Sequence, residues 1–182
     1  MRKEHRKLRR RPLYFPLLAP VVGAALAVLI VVWALSKTGT TTLILVRHAD
    51  LAPVAAAAGP GLSEVGRYRS RALAGWLSES GISRIYVSDF SPTRETAAPV
   101  SKSTGAEIFE IPAADPGRLM KALTGHGQSP VLVIGDVETL ERIVEHRSGR
   151  RVDIADDDYD GLYIITDSIL TSPRLLELNY GG

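Results

Sequence analysis

Two patterns divide the chain. From Pro12 to Ser36 no charged side chain interrupts PLYFPLLAPVVGAALAVLIVVWALS, whereas from Thr41 onward short β-branched apolar runs alternate with stretches of helical period. About 20 apolar residues carry a helix across a bilayer core, so residues 12–36 predict one N-terminal transmembrane helix. Pro12, Pro16 and Pro20 fall in its first half, and Tyr14 and Trp33 stand near its ends, where interfacial aromatics are found. A cleaved secretory signal competes with this reading, with Ala34-Leu35-Ser36 before the cut, but its apolar core spans about 7 to 15 residues, which is shorter than this run.

After a polar joint, Lys37 to Thr40, TTLILVR (Thr41 to Arg47) reads as a buried strand. A loop rich in Ala, Gly and Pro, including Ala55 to Ala58, runs to Gly61. Ser63 is placed as an N-cap, and Val65, Tyr68, Ala72, Leu73, Trp76 and Leu77 recur at helical spacing until Gly81. The alternation continues with ISRIYVS (Ile82 to Ser88) as strand and a helix capped by Ser91 with Pro92 in its first turn. Then come AEIFEI as strand, a helix over about 115–124, Pro130 to Gly135 as strand and a helix from Val137 to about Arg147. LYIIT and LLELN read as closing strands. Strands alternating with helices predict a three-layer α/β domain over 37–182, an open, mostly parallel sheet with helices on both faces.

Charge separates the same two regions. Residues 1–11 hold seven Lys or Arg against Glu4, a charge of +6, while the remaining 15 basic and 19 acidic residues sum to −4. A basic tip next to an apolar span stays cytoplasmic by the positive-inside rule, so the chain is expected to be a single-pass membrane protein with an extracytoplasmic domain. That domain is acidic and lacks a basic stripe interleaved with aromatics, which argues against nucleic-acid binding. Without cysteine there is no thiolate nucleophile and no Cys-based metal site. The acids Asp156 to Asp158 read as solvated, so no metal and no cofactor is expected.

In open parallel sheets, ligands bind beyond the carboxyl ends of the strands. The ends here present Arg47 and His48, then Ser88, then Gly135 and Asp136. A guanidinium holds a phosphate through paired hydrogen bonds, and a neutral imidazole can attack phosphorus. His5 belongs to the basic tip, His126 to a loop and His146 to a helix end, while Asp50, close to His48, suits a turn as well as a proton donor.

LILVRHAD resembles the first motif of the histidine phosphatase superfamily, also called phosphoglycerate mutase-like. LSEVGRYRSRALAGWL is similar to that family's first helix, IYVSDFSPTRETAAPVS to its second motif, VLVIGDVETL to the strand that ends in Gly-His, and IADDDYDGLYIIT to the closing segment of small members. The resemblance runs from Thr41 to the C-terminus and implies the family's fold. It also implies phosphomonoester hydrolysis through a phosphohistidine at His48, with Arg47 and Ser88 at the phosphate, and a phosphorylated small molecule or phosphoprotein as substrate. Two positions depart from the family. Pro92 stands where a second Arg is expected, with Arg94 two residues on as a substitute that the helical turn of about 100° per residue points elsewhere. Asp136 stands where a second His is expected. A carboxylate about 4 Å from a phosphate oxygen is repelled by about 4 kcal/mol at an effective dielectric of about 20. Activity is therefore expected to be weakened or lost, the alternative being a catalytically inactive extracytoplasmic binding or scaffolding domain.

Overall fold

The computed structural model describes residues 15–36, 39–53, 61–124, 129–168 and 171–180. The chain divides into two units, 1–38 and 39–182. The basic tip, the Ala55 to Ala58 patch and His126 lie outside the described residues.

The described residues of the first unit form one helix, α1 (Phe15–Ser36), with Pro20 inside it. The side chains described, over 20–33, are all exposed. A helix apolar all round needs burial or a membrane. Among the described residues no helix is long and apolar enough to cross a membrane.

In the second unit, β1 (Thr41–Arg47) is central, and Leu43 to Val46 are buried on both faces. The sheet runs β3 (Glu107–Glu110), β2 (Arg84–Val87), β4 (Val131–Gly135), β1, β5 (Gly161–Ser168), β6 (Thr171–Asn179). The first four strands are parallel, but β5 pairs antiparallel with β1 and β6 antiparallel with β5. The expected mostly parallel sheet is thus mixed at one side. Only residues 169–170 separate β5 from β6, which leaves no room for the crossover that a parallel pair requires.

Alternation along the strands sorts side chains between two helical layers. Ile44 and Val46 face α2 (Glu64–Leu77) and α3 (Ser91–Thr104), while Leu43 and Leu45 face α4 (Pro116–Ala122) and α5 (Val137–Ser148). Ser63 caps α2 as expected, its Oγ accepting from Gly66 N at 3.0 Å. The cap of α3 falls at Phe90 rather than Ser91, because Ser88 Oγ closes the preceding turn by accepting from Phe90 N, and Ser91 Oγ donates to Glu95 instead. A Cβ at Gly66 would lie 2.2 Å from the Asp50 carbonyl oxygen, so glycine lets α2 press against the loop that leaves β1.

The face that α2 buries also differs from expectation. Gly66, Ser70, Leu73, Ala74 and Leu77 point inward, small residues that allow close packing against α3 and the sheet. Val65, Tyr68 and Trp76 remain 57%, 70% and 63% exposed.

Candidate active site

The parallel pairing of β1 with β4 sets Arg47 beside Gly135. The next residues leave the sheet together, with His48 N donating to Gly135 O at 3.0 Å. His48 is 5% exposed, and its Nδ1 lies 3.0 Å from Ala49 O. A carbonyl oxygen only accepts, so Nδ1 carries the proton and the lone pair is on Nε2. Ala49 is itself fixed, its N–H donating to the buried Thr96 Oγ1 at 3.0 Å, while Thr96 Oγ1 donates to Pro92 O at 2.7 Å. The Phe90 ring meets the imidazole edge-on, with centroids 5.4 Å apart, and Tyr159 lies at 6.2 Å. Burial is the largest influence on the imidazole and pushes its pKa below the usual 6.5; Arg47 pushes the same way, against the Ala49 hydrogen bond and the charges of Asp136 and Asp50. Neutral, with Nε2 unprotonated, is the form in which a histidine attacks phosphorus.

Arg47 is built into the loop before β5. Its Nη1 donates to Asp156 O at 2.7 Å and Ala155 O at 3.2 Å, and its guanidinium lies 4.3 Å from the centroid of the Tyr159 ring. Its Nε is buried without a partner among the described residues. Ser88 Oγ lies 3.3 Å from Thr93 Oγ1. Together with Asp89, Phe90, Ala113 and Asp136, Ser88 lines an open cleft at the carboxyl edge.

That cleft is acidic. Asp136 is exposed, and its Oδ1 accepts from Thr139 N at 2.7 Å as the N-cap of α5. Asp89 Oδ1 accepts from Ala113 N at 3.0 Å. Each carboxylate thus spends one oxygen on the backbone. Pro92 is buried in the first turn of α3. Arg94 lies half-exposed on the far side of that helix, 2.7 Å from Glu110 on β3, so the phosphate role expected of it finds no support in its geometry.

Asp50 pairs with Arg69 at 2.8 Å, and Arg69 reaches Asp160 at 3.6 Å; a structural clamp is what it makes. Asp158 accepts from Gly161 N at 2.8 Å, serving the turn into β5. Sequence reasoning missed Asp89, Phe90 and Tyr159. The first two follow Ser88 directly and could have been found from that strand end, whereas Tyr159 gave no local signal.

Residues 43–114 match the model of the histidine phosphatase superfamily, branch 1. Among solved structures, the protein histidine phosphatase SixA complexed with tungstate is similar at TM-score 0.63 and 22% identity, covering 76% of this chain and 96% of that one. The mycobacterial glucosyl-3-phosphoglycerate phosphatase is similar at TM-score 0.59 and 15% identity, over 77% and 99%. Phosphoglycerate mutase from Plasmodium falciparum follows at TM-score 0.55 and 19% identity, over 77% and 91%. At these identities the structural likeness shows the fold. No curated protein matches the sequence.

Proposed function

We propose that this chain, whose residues 43–114 match the model of the histidine phosphatase superfamily, is a membrane-anchored phosphomonoester hydrolase that works through His48 but has a weakened phosphate subsite. The observation that carries the reading is the buried imidazole whose Nδ1 is committed to Ala49 O, leaving Nε2 as the reactive atom. In the reaction, a bond forms from Nε2 to phosphorus as the ester P–O bond breaks, and the leaving oxygen takes a proton. Water then attacks the phosphohistidine, releasing phosphate and restoring Nε2. Arg47 orients the imidazole's surroundings by holding the 155–158 backbone. Asp136 and Asp89 oppose anion binding.

For the anchor the support is the sequence alone: Pro12 to Ser36 carries no charged side chain, and about 20 apolar residues suffice to cross a bilayer core as a helix. The basic tip then stays cytoplasmic and the domain is extracytoplasmic. The acidic cleft favours a second reading, an inactive binding domain. The full chain in detergent, given an aryl phosphate, separates the two. The first reading requires a phosphohistidine that disappears in His48→Ala, and faster turnover when Asp136→His is combined with Pro92→Arg. If neither wild type nor the double variant is labelled, the binding-domain reading stands.

A further inference from the structure

Two hydrogen bonds fix how α2 and α3 lie side by side. Glu95 Oε2 accepts from Leu62 N at 3.1 Å just before α2 begins, and Ser103 Oγ donates to Ala74 O at 3.2 Å near its end. The helices therefore run parallel, and a groove lies between them. Arg67 and Arg71 stand one turn apart on the α2 wall and Lys102 on the α3 wall, while the apolar Leu62, Ala98 and Pro99 line the space between. The groove holds about 770 Å³, within the roughly 300–1,000 Å³ of small-ligand sites. None of its lining residues belongs to the cleft at Ser88 and Asp136.

The cations of this groove are not matched from within the fold. Arg71 and Lys102 are exposed and make no ion pair among the described residues. Arg67 has only Glu64, at 3.5 Å and 97% exposed, and a pair so solvated contributes little. Glu95, the one acid among the described lining residues, is spent on Leu62 N and Ser91 Oγ. Arg67 and Arg71, four residues apart on one helix, repel each other. The chain beyond residue 11 is otherwise net acidic, 15 basic against 19 acidic residues. Cations gathered in one groove with low-dielectric walls focus a field that draws an anion. We infer that the groove is a binding site for a small phosphate ester, separate from the His48 cleft. One phosphate group carries about −1.5 to −2 charges, and guanidinium forks grip it through paired hydrogen bonds. Leu62, Ala98 and Pro99 offer an apolar lining to the carbon skeleton of the ester. The stretch of α3 between the two ties rises about 12 Å, which a compact ligand fills and which holds only about four residues of an extended peptide.

The test uses the full chain in an uncharged detergent, with inorganic pyrophosphate as the probe and the thermal midpoint as the readout. A ligand held by the folded chain raises the midpoint, and the expected rise near saturation is about 2 °C or more. Arg71→Gln with Lys102→Gln should weaken the apparent affinity at least about tenfold. Far-UV circular dichroism should stay unchanged, because both side chains are exposed. Arg71→Lys with Lys102→Arg preserves the charges and should preserve most of the rise. Absence of a rise in wild type overturns the site. So does a rise that survives the double glutamine change intact, since it places the anion at the His48 cleft or on the basic tip, both of which that variant retains. An octaglutamate peptide forms the second arm. A larger rise with the peptide than with pyrophosphate would make the groove a protein-docking surface and overturn the phosphate-ester assignment, whereas a smaller one supports it.

Discussion

The segments that leave β1 and β4 run side by side, tied by His48 N to Gly135 O, yet they bring opposite things to one edge. The end of β1 carries His48, the nucleophile of the proposed reaction, whose tautomer is set by Ala49 O while the Thr96 side chain holds Ala49. The end of β4 carries Asp136, whose carboxylate caps α5. Capping needs an acceptor at that place and is indifferent to what a charge does to the cleft. In the proposed reaction, nucleophile geometry and phosphate electrostatics would therefore be carried by different strands, so that one could be kept while the other is reversed.

The strongest way to break the comparison is at the β1 end. If His48 is the group that takes the phosphoryl, His48→Ala should lower phosphoryl transfer to an aryl phosphate by at least about 10³-fold; unchanged labelling of the variant would place the chemistry elsewhere. Arg47→Ala tests whether the same strand end is also a structural tie. Loss of the charge-assisted bonds to Ala155 O and Asp156 O and of the contact with Tyr159 should cost about 2 kcal/mol, lowering the thermal midpoint by about 5 °C for a domain of this size. A midpoint unmoved by the change would mean that the guanidinium does not hold that loop.

Much of this contrast was legible in the sequence, because its parts are local. Ser63 and Asp136 each stand three residues before the N–H they accept from, and the β-branched runs ending in Arg47 and Gly135 mark the strands. What was hidden depends on distant residues. Arg47 is held by carbonyls 108 and 109 residues away, and no spacing rule announces that. Helical period identified α2 but not its inward face, since small residues there, such as Gly66 and Ser70, pack where larger apolar ones were expected. The antiparallel turn of β5 and β6 followed from a short connection that the apolar runs did not reveal.

At the β4 end the gentler change is Asp136→Asn, which removes the charge and keeps the cap, the two residues being equivalent at N-cap positions. Asp136 is exposed, so its repulsion of a bound anion belongs nearer the aqueous value of about 1 kcal/mol than the value of about 4 for less solvated pairs. Tungstate or phosphate should accordingly bind about fivefold tighter, with the thermal midpoint in the absence of ligand unchanged. Equal affinity in calorimetry would show that the carboxylate is not felt at the subsite and that Pro92 alone carries the weakening.

The smallest effect joins the two ends. Burial holds the His48 pKa below 6.5 in the folded chain, with the Ala49 hydrogen bond, Asp136 and Asp50 pulling it up. Between the lowered value and 6.5 the unfolded chain binds a proton that the folded chain refuses, so stability falls as pH drops through that window and is level above it. The denaturation midpoint should show this slope in wild type and lose it in His48→Gln. In Asp136→Asn one of the upward pulls disappears, so the imidazole resonance should titrate at a lower pH than in wild type. The window of pH-dependent stability should widen on its acidic side. Identical titration curves in the two proteins would mean that Asp136 and His48 share an edge without sharing a field, and the acidic cleft would then have to act on the ligand alone.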